Sequence, residues 1–364
     1  MKIVRLWLVN FRNYENAVIE FAGHNLLVGL NGAGKTNILE AIDILATSRS
    51  RIAKGLNKCI RRGQSGFALN GVFASPPAGE LTIAFRQERG AARTIKINDE
   101  ILARSSELIG RVNSVIFLPG DLELVQGPPA ARRKYLDILI SQTEREYYAD
   151  LQNYTRALKQ RNELFKNLRS PGLPDTARNR AVGVWDEQLA EYAGRLMLKR
   201  REYLDFFARE TAGLYSALGF AGAVAVRYKT DVAPDKSQNL ERLASSRAED
   251  LRFGRTHWGA HADDFEFWLD DSKAAEFCSQ GQRRLLAIAF KCAEAKIKTE
   301  KLNDPPVVLV DDVLLELDAE RFNQVITAIA PQSQKIFTVT DTGRFAAGLL
   351  DKLKIIKITQ GKIL

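Results

Sequence analysis

The stretch that decides the fold reads Gly29-Leu30-Asn31-Gly32-Ala33-Gly34-Lys35-Thr36. Its GxxxxGKT spacing is that of a P-loop, in which glycines tolerate positive φ and let backbone N–H groups surround phosphates. Lys35 would place its cation against the β- and γ-phosphates of ATP, and the Thr36 hydroxyl would bind Mg²⁺. A predicted strand at 25–28 precedes the loop, and a run with helical spacing follows it at 37–45. This strand–loop–helix context supports the motif, because a helix N-terminus favours phosphate binding.

A second motif closes an apolar run near the end of the chain. Residues 307–310 are Val, Val, Leu and Val, and Asp311 and Asp312 follow them. This is the form of a Walker B element, in which Asp311 would hold the Mg²⁺ shell and Asp312 would polarise the attacking water. The alternative is that the carboxylates cap the following turn. The position of the pair after a P-loop favours the Walker B interpretation.

Between these two motifs, the start of a predicted helix reads Ser279-Gln280-Gly281-Gln282. The run resembles the signature motif of ABC-type ATPases. In that motif a small hydroxyl and a glycine at a helix N-terminus approach the γ-phosphate held by another subunit. Gln282 lies 29 residues before Asp311 (311 minus 282). The order of the three motifs predicts an ABC-type ATPase head.

The middle of the chain has a helical pattern. Apolar residues recur at spacings of four and three over 147–168 and again over 185–206, with Arg161 and Lys199 in the polar slots. A Ser-Pro-Gly-Leu-Pro breaker at 170–174 separates the two runs. This pattern predicts an antiparallel hairpin of two helices, each of about 25 residues. The alternative is that both helices pack within a compact helical domain.

These patterns divide the chain into two predicted domains. Alternating strands and helices occupy 1–120 and 255–364, which together form the ATPase head. The helical insertion occupies 121–254. The predicted fold class is therefore α/β: a P-loop sheet of the ABC type, an adjacent antiparallel sheet and an inserted helical arm.

The charge of the chain favours a polyanionic partner. Its 53 basic and 44 acidic residues give a formal net charge of +9. No carboxylate occurs between Asp43 and Glu80, yet six cations stand there: Arg49, Arg51, Lys54, Lys58, Arg61 and Arg62. We predict that this basic segment, 49–62, contacts the phosphate backbone of DNA. The alternative is a solvated loop of charges.

Other features argue against several kinds of site. Cys59, Cys278 and Cys292 lie far apart without a CxxC pair, which predicts neither a disulfide framework nor a zinc site. His257 and His261 are four residues apart, but no cysteine or third histidine lies nearby to complete a metal site. The first residues read as a strand, and no apolar run approaches the length needed to cross a bilayer. The expected location is therefore the cytoplasm.

Together these motifs resemble those of the RecF family, bacterial recombinational-repair ATPases related to the SMC and Rad50 heads. The resemblance spans nearly the whole chain. It rests on Asn10-Phe11-Arg12-Asn13-Tyr14, the P-loop continued through Asn37-Ile38-Leu39-Glu40-Ala41-Ile42, Gly127-Pro128 with Arg132-Arg133, Leu136-Asp137, Ser279-Gln280-Gly281-Gln282, and Asp311-Asp312-Val313 with Glu316-Leu317-Asp318.

Two places depart from the family pattern. The family usually has Gly-Pro-His-Arg-Asp-Asp where this chain has Gly-Ala-His-Ala-Asp-Asp at 259–264. It usually has Ser where this chain has Leu315, in a loop that faces the partner subunit in related ATPases. These departures indicate a divergent branch of the family. Leu315 argues against hydrolysis that is stimulated by dimerisation.

The resemblance implies an ATPase that dimerises on ATP, clamps DNA and releases it after slow, DNA-stimulated hydrolysis. It implies a role in DNA repair, replication restart and the SOS response, with recombinase loading at gaps. The implied partners are single-stranded and duplex DNA, gap junctions and a RecR-type mediator. Ser279 and Gly281 of one subunit would face the γ-phosphate held by Lys35 of the other.

Motifs and resemblance together assign the site residues. The catalytic set is Lys35, Asp312, Ser279 and Gln282. The ATP contacts are Gly29, Asn31, Gly32, Gly34, Lys35, Thr36, Asn37, Arg12 and Gly281. The Mg²⁺ ligands are Thr36 and Asp311.

Two other functions are weighed against this one. An ABC transporter's nucleotide-binding subunit usually carries Glu where this chain has Asp312, and a His where Thr340 follows the strand at 335–339. A P-loop kinase or metabolic transferase has no role for the signature run. ATP-driven dimerisation is expected for the repair ATPase and the transporter subunit, and DNA binding separates them.

Overall fold

The computed structural model describes residues 1–76, 79–167, 175–313, 319–343, 345 and 347–364. The chain divides into two units. The first comprises Met1–Asp121 and Ile288–Leu364, and the second comprises Leu122–Ala287. The ATPase head is thus assembled from the two ends of the chain, and the second unit is one continuous segment.

A six-stranded sheet in the first unit carries the P-loop. Its strands are β3 (His24–Val28), β8 (Ser114–Phe117), β12 (Val307–Asp311), β13 (Lys335–Val339), β14 (Lys354–Thr359) and β15 (Lys362–Ile363). The order is β15-β14-β3-β13-β12-β8, and all neighbours from β14 to β8 run parallel. β8, β12 and β13 are buried along their whole length, which agrees with their mainly apolar sequences.

The antiparallel sheet predicted beside the P-loop sheet is also in the first unit. Its strands are β1 (Lys2–Phe11), β2 (Tyr14–Glu20), β4 (Gly66–Ser75), β5 (Gly79–Glu88), β6 (Thr94–Ile97) and β7 (Glu100–Ile101). The order is β2-β1-β4-β5-β6-β7. Every second residue of β4 is buried, as expected for a sheet with one face on the core.

Helix α1 (Lys35–Thr47) follows the P-loop and lies in the core between the two sheets. Residues 38–46 are all buried, because a helix covered by two sheets has no solvent face. The helix ends at Ser48, whose φ of 56° is left-handed and stops the helical hydrogen bonding. The later helices of the chain are α8 (Gln280–Leu302), α9 (Ala319–Ala328) and α10 (Ala347–Leu350).

The second unit is mainly helical. Its helices are α2 (Glu123–Gln126), α3 (Pro129–Thr143), α4 (Arg145–Asn167), α5 (Asp175–Ala217), α6 (Lys236–Phe253) and α7 (Ala274–Phe277). Three strands pair antiparallel in the order β11-β10-β9: β9 (Val224–Lys229), β10 (Asp264–Leu269) and β11 (Ser272–Lys273). α5 packs against α4, α6 and β9, so the two predicted helices belong to a larger helical unit. Leu168 and the breaker at 170–174 lie outside the described residues.

The buried stripe of α5 differs from the heptad prediction. Leu189, Leu196 and Tyr203 are buried as the heptad predicts. The predicted polar slot, Lys199, is 38% exposed, and the neighbouring Arg200 is buried instead. Since α5 packs against several elements, its buried face is wider than the narrow seam of a two-helix coiled coil.

The second boundary between the units also differs from the prediction. We predicted that the head resumes at 255, whereas the structure places Leu122–Ala287 in one unit. The reason is strand pairing: Asp264–Leu269 forms a ladder with Val224–Lys229, which holds the segment after 255 with the helices. The boundary falls within α8.

Candidate nucleotide-binding site

The P-loop has the backbone shape of a phosphate cradle. Gly32 and Gly34 adopt φ values of 79° and 118°, which side chains rarely tolerate. A Cβ at Gly34 would lie 2.7 Å from the Asn13 side-chain nitrogen and 2.8 Å from the Tyr14 hydroxyl. Glycine is therefore required there by both conformation and space. Asn31 lies exposed in the same loop.

Lys35 is folded into this cradle. Its side chain is 4% exposed, and its ammonium donates to the carbonyl oxygens of Gly29 at 2.7 Å and Leu30 at 3.2 Å. These neutral carbonyls hold a buried cation where phosphate oxygens would give it charged partners. The residues present therefore fit a nucleoside triphosphate.

Two predicted metal ligands meet at the edge of the parallel sheet. The Thr36 hydroxyl donates to Asp311 Oδ1 at 2.7 Å, across 275 positions of sequence. Burial raises the pKa of Asp311, and hydrogen bonds from Thr36 and Thr338 oppose that shift. A buried carboxylate beside a hydroxyl is a donor set that suits Mg²⁺, whose charge would stabilise the ionised form.

Thr338 is a site residue that the sequence did not identify. Its hydroxyl lies 3.0 Å from Asp311 Oδ1 and 3.1 Å from Asp312 Oδ1, and it accepts the Asp312 N–H at 3.0 Å. Asp312 itself has a left-handed φ of 46°. Thr338 therefore fixes both acidic residues. Thr338 could be identified only from the parallel register of β12 and β13, which pairs it with Asp311. The sequence alone does not predict that register.

The signature run forms the N-terminus of α8 in the second unit. The Ser279 hydroxyl accepts the Gln282 N–H at 3.2 Å, and the Gln282 side chain accepts the Ser279 N–H at 2.9 Å. This capping box fixes the first turn and leaves Ser279 and Gly281 exposed. Their approach to a partner's γ-phosphate stays a prediction.

Comparison with known proteins agrees with these motifs. The family model described as "RecF/RecN/SMC N terminal domain" matches residues 2–363. The chain is 34% identical to "DNA replication and repair protein RecF" of Synechococcus sp. (strain JA-3-3Ab), with 100% of this chain and 97% of that protein covered. The chain belongs to the RecF family.

Other members of the family show similar agreement. The chain is 34% identical to the protein named RecF of Leptospira interrogans serogroup Icterohaemorrhagiae serovar Lai (strain 56601), with 100% and 99% of the two chains covered. A solved structure of the recombination mediator protein RecF with ATP has a TM-score of 0.89 at 29% identity, covering 100% of this chain and 96% of that one. An SMC head at 18% identity and TM-score 0.59 shares the fold. This membership confirms the predicted family and ATPase fold and disfavours the transporter alternative.

The described residues include no helix that could serve as a membrane span. They also include no cluster of three or more metal-binding side chains. The backbone N–H of His257 donates to Asp250 Oδ1 at 3.0 Å, whereas the His261 ring bonds to the Tyr154 hydroxyl and to the Thr256 carbonyl. The two histidines therefore have separate structural partners.

Family membership does not by itself assign the role of Arg12. The structure pairs its guanidinium with Glu40 on α1, at 2.7 and 2.8 Å. The Asn37 side-chain amide donates to Asn13 Oδ1 at 2.8 Å, and the Asn13 side-chain amide donates to the Ala33 carbonyl at 2.8 Å. Asn13 thus supports the P-loop directly, and a nucleotide contact by Arg12 stays a prediction.

The basic segment separates into two groups of cations. The exposed group is Arg49, Lys54, Lys58 and Arg62. Arg51 instead forms a two-point ion pair with the buried carboxylate of Asp43, and Arg61 lies 3.1 Å from Glu15. The phosphate contact of Arg51 stays a prediction, and in the structure its guanidinium is bound to Asp43 on α1.

The divergent run at 259–264 has a structural role in the second unit. Asp264 forms a two-point ion pair with Arg132, at 2.7 Å for both bonds. Asp263 accepts from Arg200 at 3.0 Å and from Thr230 at 2.6 Å. Several family motifs thus meet in one network that holds α3, α5 and β10 together. Leu315 and the run at 316–318 lie outside the described residues.

Proposed function

We propose that this chain is an ATP-dependent DNA-binding protein of recombinational repair and replication restart, which dimerises on ATP and clamps DNA. The observation that carries the proposal is the meeting of Thr36, Asp311 and Thr338 beside a P-loop. The names of relatives in DNA replication and repair support the biological role. The RecFOR pathway named for the solved relative supports a RecR-type partner.

Each residue of the site has a defined task in ATP binding. Bound Mg²⁺·ATP supplies the reactive γ-phosphate together with the divalent charge that neutralises it. Lys35 would exchange the Gly29 and Leu30 carbonyls for phosphate oxygens. Thr36 and Asp311 would hold the metal, and Thr338 keeps Asp311 oriented.

Hydrolysis should be slow, because Asp312 is one methylene shorter than Glu and is held by Thr338. Replacing Asp312 with asparagine removes the group that would polarise water. We expect Asp312→Asn to keep ATP affinity within about threefold and to prolong the ATP-bound dimer at least about tenfold. Dissociation of the dimer, followed by light scattering after ATP dilution, measures this lifetime.

Asp99→Asn is the matched control, since Asp99 is an exposed turn residue of the first unit. It should leave the dimer lifetime unchanged. An Asp312→Asn dimer that dissociates as fast as the unmodified protein would exclude Asp312 from hydrolysis.

The signature run would complete the site in a second copy of the chain. Its exposed Ser279 and Gly281 stand at a helix N-terminus, which favours an anion. The test is a sizing column run with ATP, ADP and no nucleotide, repeated with DNA. ATP alone should shift the protein to a dimer, and Ser279→Arg should bind ATP without that shift. A monomer in all three states would refute the clamp.

DNA contact by the exposed cations would be independent of sequence. Charged side chains that neutralise phosphates release counterions. The logarithm of the affinity therefore falls against the logarithm of the salt concentration, with a slope of about 0.9 for each phosphate contact. We expect the Lys58→Gln, Arg62→Gln double variant to reduce this slope by about 1.8 and to weaken all duplex sequences alike. Fluorescence anisotropy across a salt series measures the slope.

The control for this experiment is Arg86→Gln with Lys352→Gln, two exposed cations of the first unit outside the basic segment. It removes the same net charge and should leave the slope unchanged. Equal slopes for both double variants and the unmodified protein would move the DNA surface away from the basic segment.

A further inference from the structure

Glu40 is a buried charge that the phosphate cradle does not use. It lies on α1, five residues after Lys35 by numbering (40 minus 35), and its exposure is 0%. It accepts two hydrogen bonds from Arg12, at 2.7 and 2.8 Å, and one from the Ser50 hydroxyl. The Cys59 thiol lies 3.6 Å away. A buried carboxylate is costly unless it is paired, and these donors satisfy it.

The donors to Glu40 hold both ends of the basic segment. The Ser50 oxygen also accepts the N–H groups of Ile52 at 3.1 Å and Ala53 at 2.7 Å, which shapes the first turn of the segment. Arg12 reaches the other end, where its guanidinium donates to the Lys58 carbonyl at 3.2 Å. The Arg12 N–H donates to the Cys59 carbonyl at 2.7 Å. Glu40 therefore fixes where the exposed cations stand.

The turn that carries Arg12 also touches the P-loop. Its next residue, Asn13, donates to the Ala33 carbonyl at 2.8 Å, and Tyr14 donates to the Gly34 carbonyl at 3.1 Å. Arg12 has a left-handed φ of 55°, a conformation that non-glycine residues rarely adopt. The contacts on both sides keep the turn in this conformation. One short turn thus joins the phosphate cradle to the basic segment.

We propose that Glu40 is a positioning residue that couples nucleotide in the P-loop to the DNA affinity of the basic segment, acting through Arg12 and Ser50. Phosphate binding changes the surroundings of the loop carbonyls at Ala33 and Gly34, and the turn passes that change to Arg12. The hydrogen bond to Glu40 raises the pKa of Arg12, which favours its charged guanidinium. This inference rests on the proposed function and gives it a physical route.

Glu40→Gln tests the coupling, because it keeps the shape of the side chain and removes its charge. Four quantities are measured: ATP affinity, duplex affinity with ATP, duplex affinity without nucleotide, and the salt slope. We expect ATP affinity within about threefold and the ratio of the two duplex affinities reduced at least about fivefold. The salt slope should be unchanged, because the exposed cations remain. An unchanged ratio overturns the inference.

Linkage provides a consistency check on the affinity ratio, because the same coupling can be measured from the ATP side. If ATP tightens duplex binding, duplex must tighten ATP binding by the same factor. Glu40→Gln should reduce that reciprocal factor equally. Glu20→Gln is the matched control, since Glu20 pairs with Arg5 on the exposed face of the β1–β2 ladder. It should leave both factors as in the unmodified protein.

Ser50→Ala keeps the test decisive if Glu40→Gln does not fold. It removes the bond from the segment to Glu40 and retains the Arg12–Glu40 pair. It should also reduce the affinity ratio, and an unchanged ratio overturns the inference. An unmodified protein whose duplex affinity ignores ATP would instead overturn the proposed function. A large ratio that neither variant alters would overturn only the role of Glu40.

Discussion

Lys35→Ala is expected to weaken ATP binding by about 100-fold or more. Lys35 is 4% exposed, and the Gly29 and Leu30 carbonyls hold its ammonium inside the loop, where it is placed to donate to phosphate oxygens. Removing one partner of a desolvated, charged hydrogen bond costs about 2–5 kcal/mol. Isothermal titration with ATP and Mg²⁺ measures the loss.

Lys54→Ala is the control for this variant. Lys54 is an exposed cation of the basic segment, in the same unit as the P-loop. It should bind ATP as the unmodified protein does. An affinity of Lys35→Ala within about threefold of the unmodified protein would separate Lys35 from the phosphate site.

Glu294→Gln is expected to lower the free energy of unfolding by about 3–5 kcal/mol. Glu294 is 2% exposed on α8, where it pairs with Lys291 and lies 3.5 Å from Lys298. The Lys298 ammonium also donates to the Ser114 carbonyl at 2.7 Å. The variant leaves both cations buried without this carboxylate. Urea unfolding monitored by fluorescence measures the change.

The pH dependence of this variant gives a second measurement. Burial acts to raise the pKa of Glu294, but Lys291 and Lys298 outweigh it and lower the pKa from 4.5 to about 2. The unfolded chain therefore binds the proton first as pH falls. The ion pair stabilises the fold fully above about pH 4.5, and this stabilisation is lost as pH falls towards about 2. Glu294→Gln should lack that acid-dependent loss.

Glu88→Gln is the exposed counterpart. Glu88 pairs with Arg86 at 2.7 Å, with side-chain exposures of 48% and 70%. Such pairs contribute little, so the free energy of unfolding should change by less than about 0.5 kcal/mol. Equal effects of the two glutamate substitutions would contradict a structural role for the buried pair.

The sequence predicted those parts of the site that depend on local motifs. The P-loop, the strand before Asp311 and the cap formed by Ser279 each need only a few neighbouring residues. Family motifs then linked these separate runs into an ATPase head. The pairing of Arg51 with Asp43 and the hydroxyl of Thr338 depend instead on tertiary placement. No local pattern distinguishes a paired arginine from one free to bind phosphate.

Two features of the second unit also depend on tertiary packing: the position where the unit ends and the buried face of α5. The run before 255 read as helix, but the pairing of β9 with β10 determined where the unit ends. Lys199 and Arg200 are adjacent cations, and only the packing of α5 against its neighbours decides which one is buried. A heptad pattern assumes one partner helix, so it does not identify Arg200 as a buried residue of α5.

The position of β3 has a consequence for biosynthesis. β3 precedes the P-loop, yet its neighbours in the sheet are β13 and β14, from the last part of the chain. The ribosome must therefore synthesise more than 300 residues after β3 before both edges of β3 are paired (354 minus 28 is 326). Until then β3 presents unpaired backbone groups, a state that favours aggregation. The second unit is continuous in sequence and can fold earlier, so truncation near the C-terminus should abolish nucleotide binding before it disrupts the helices.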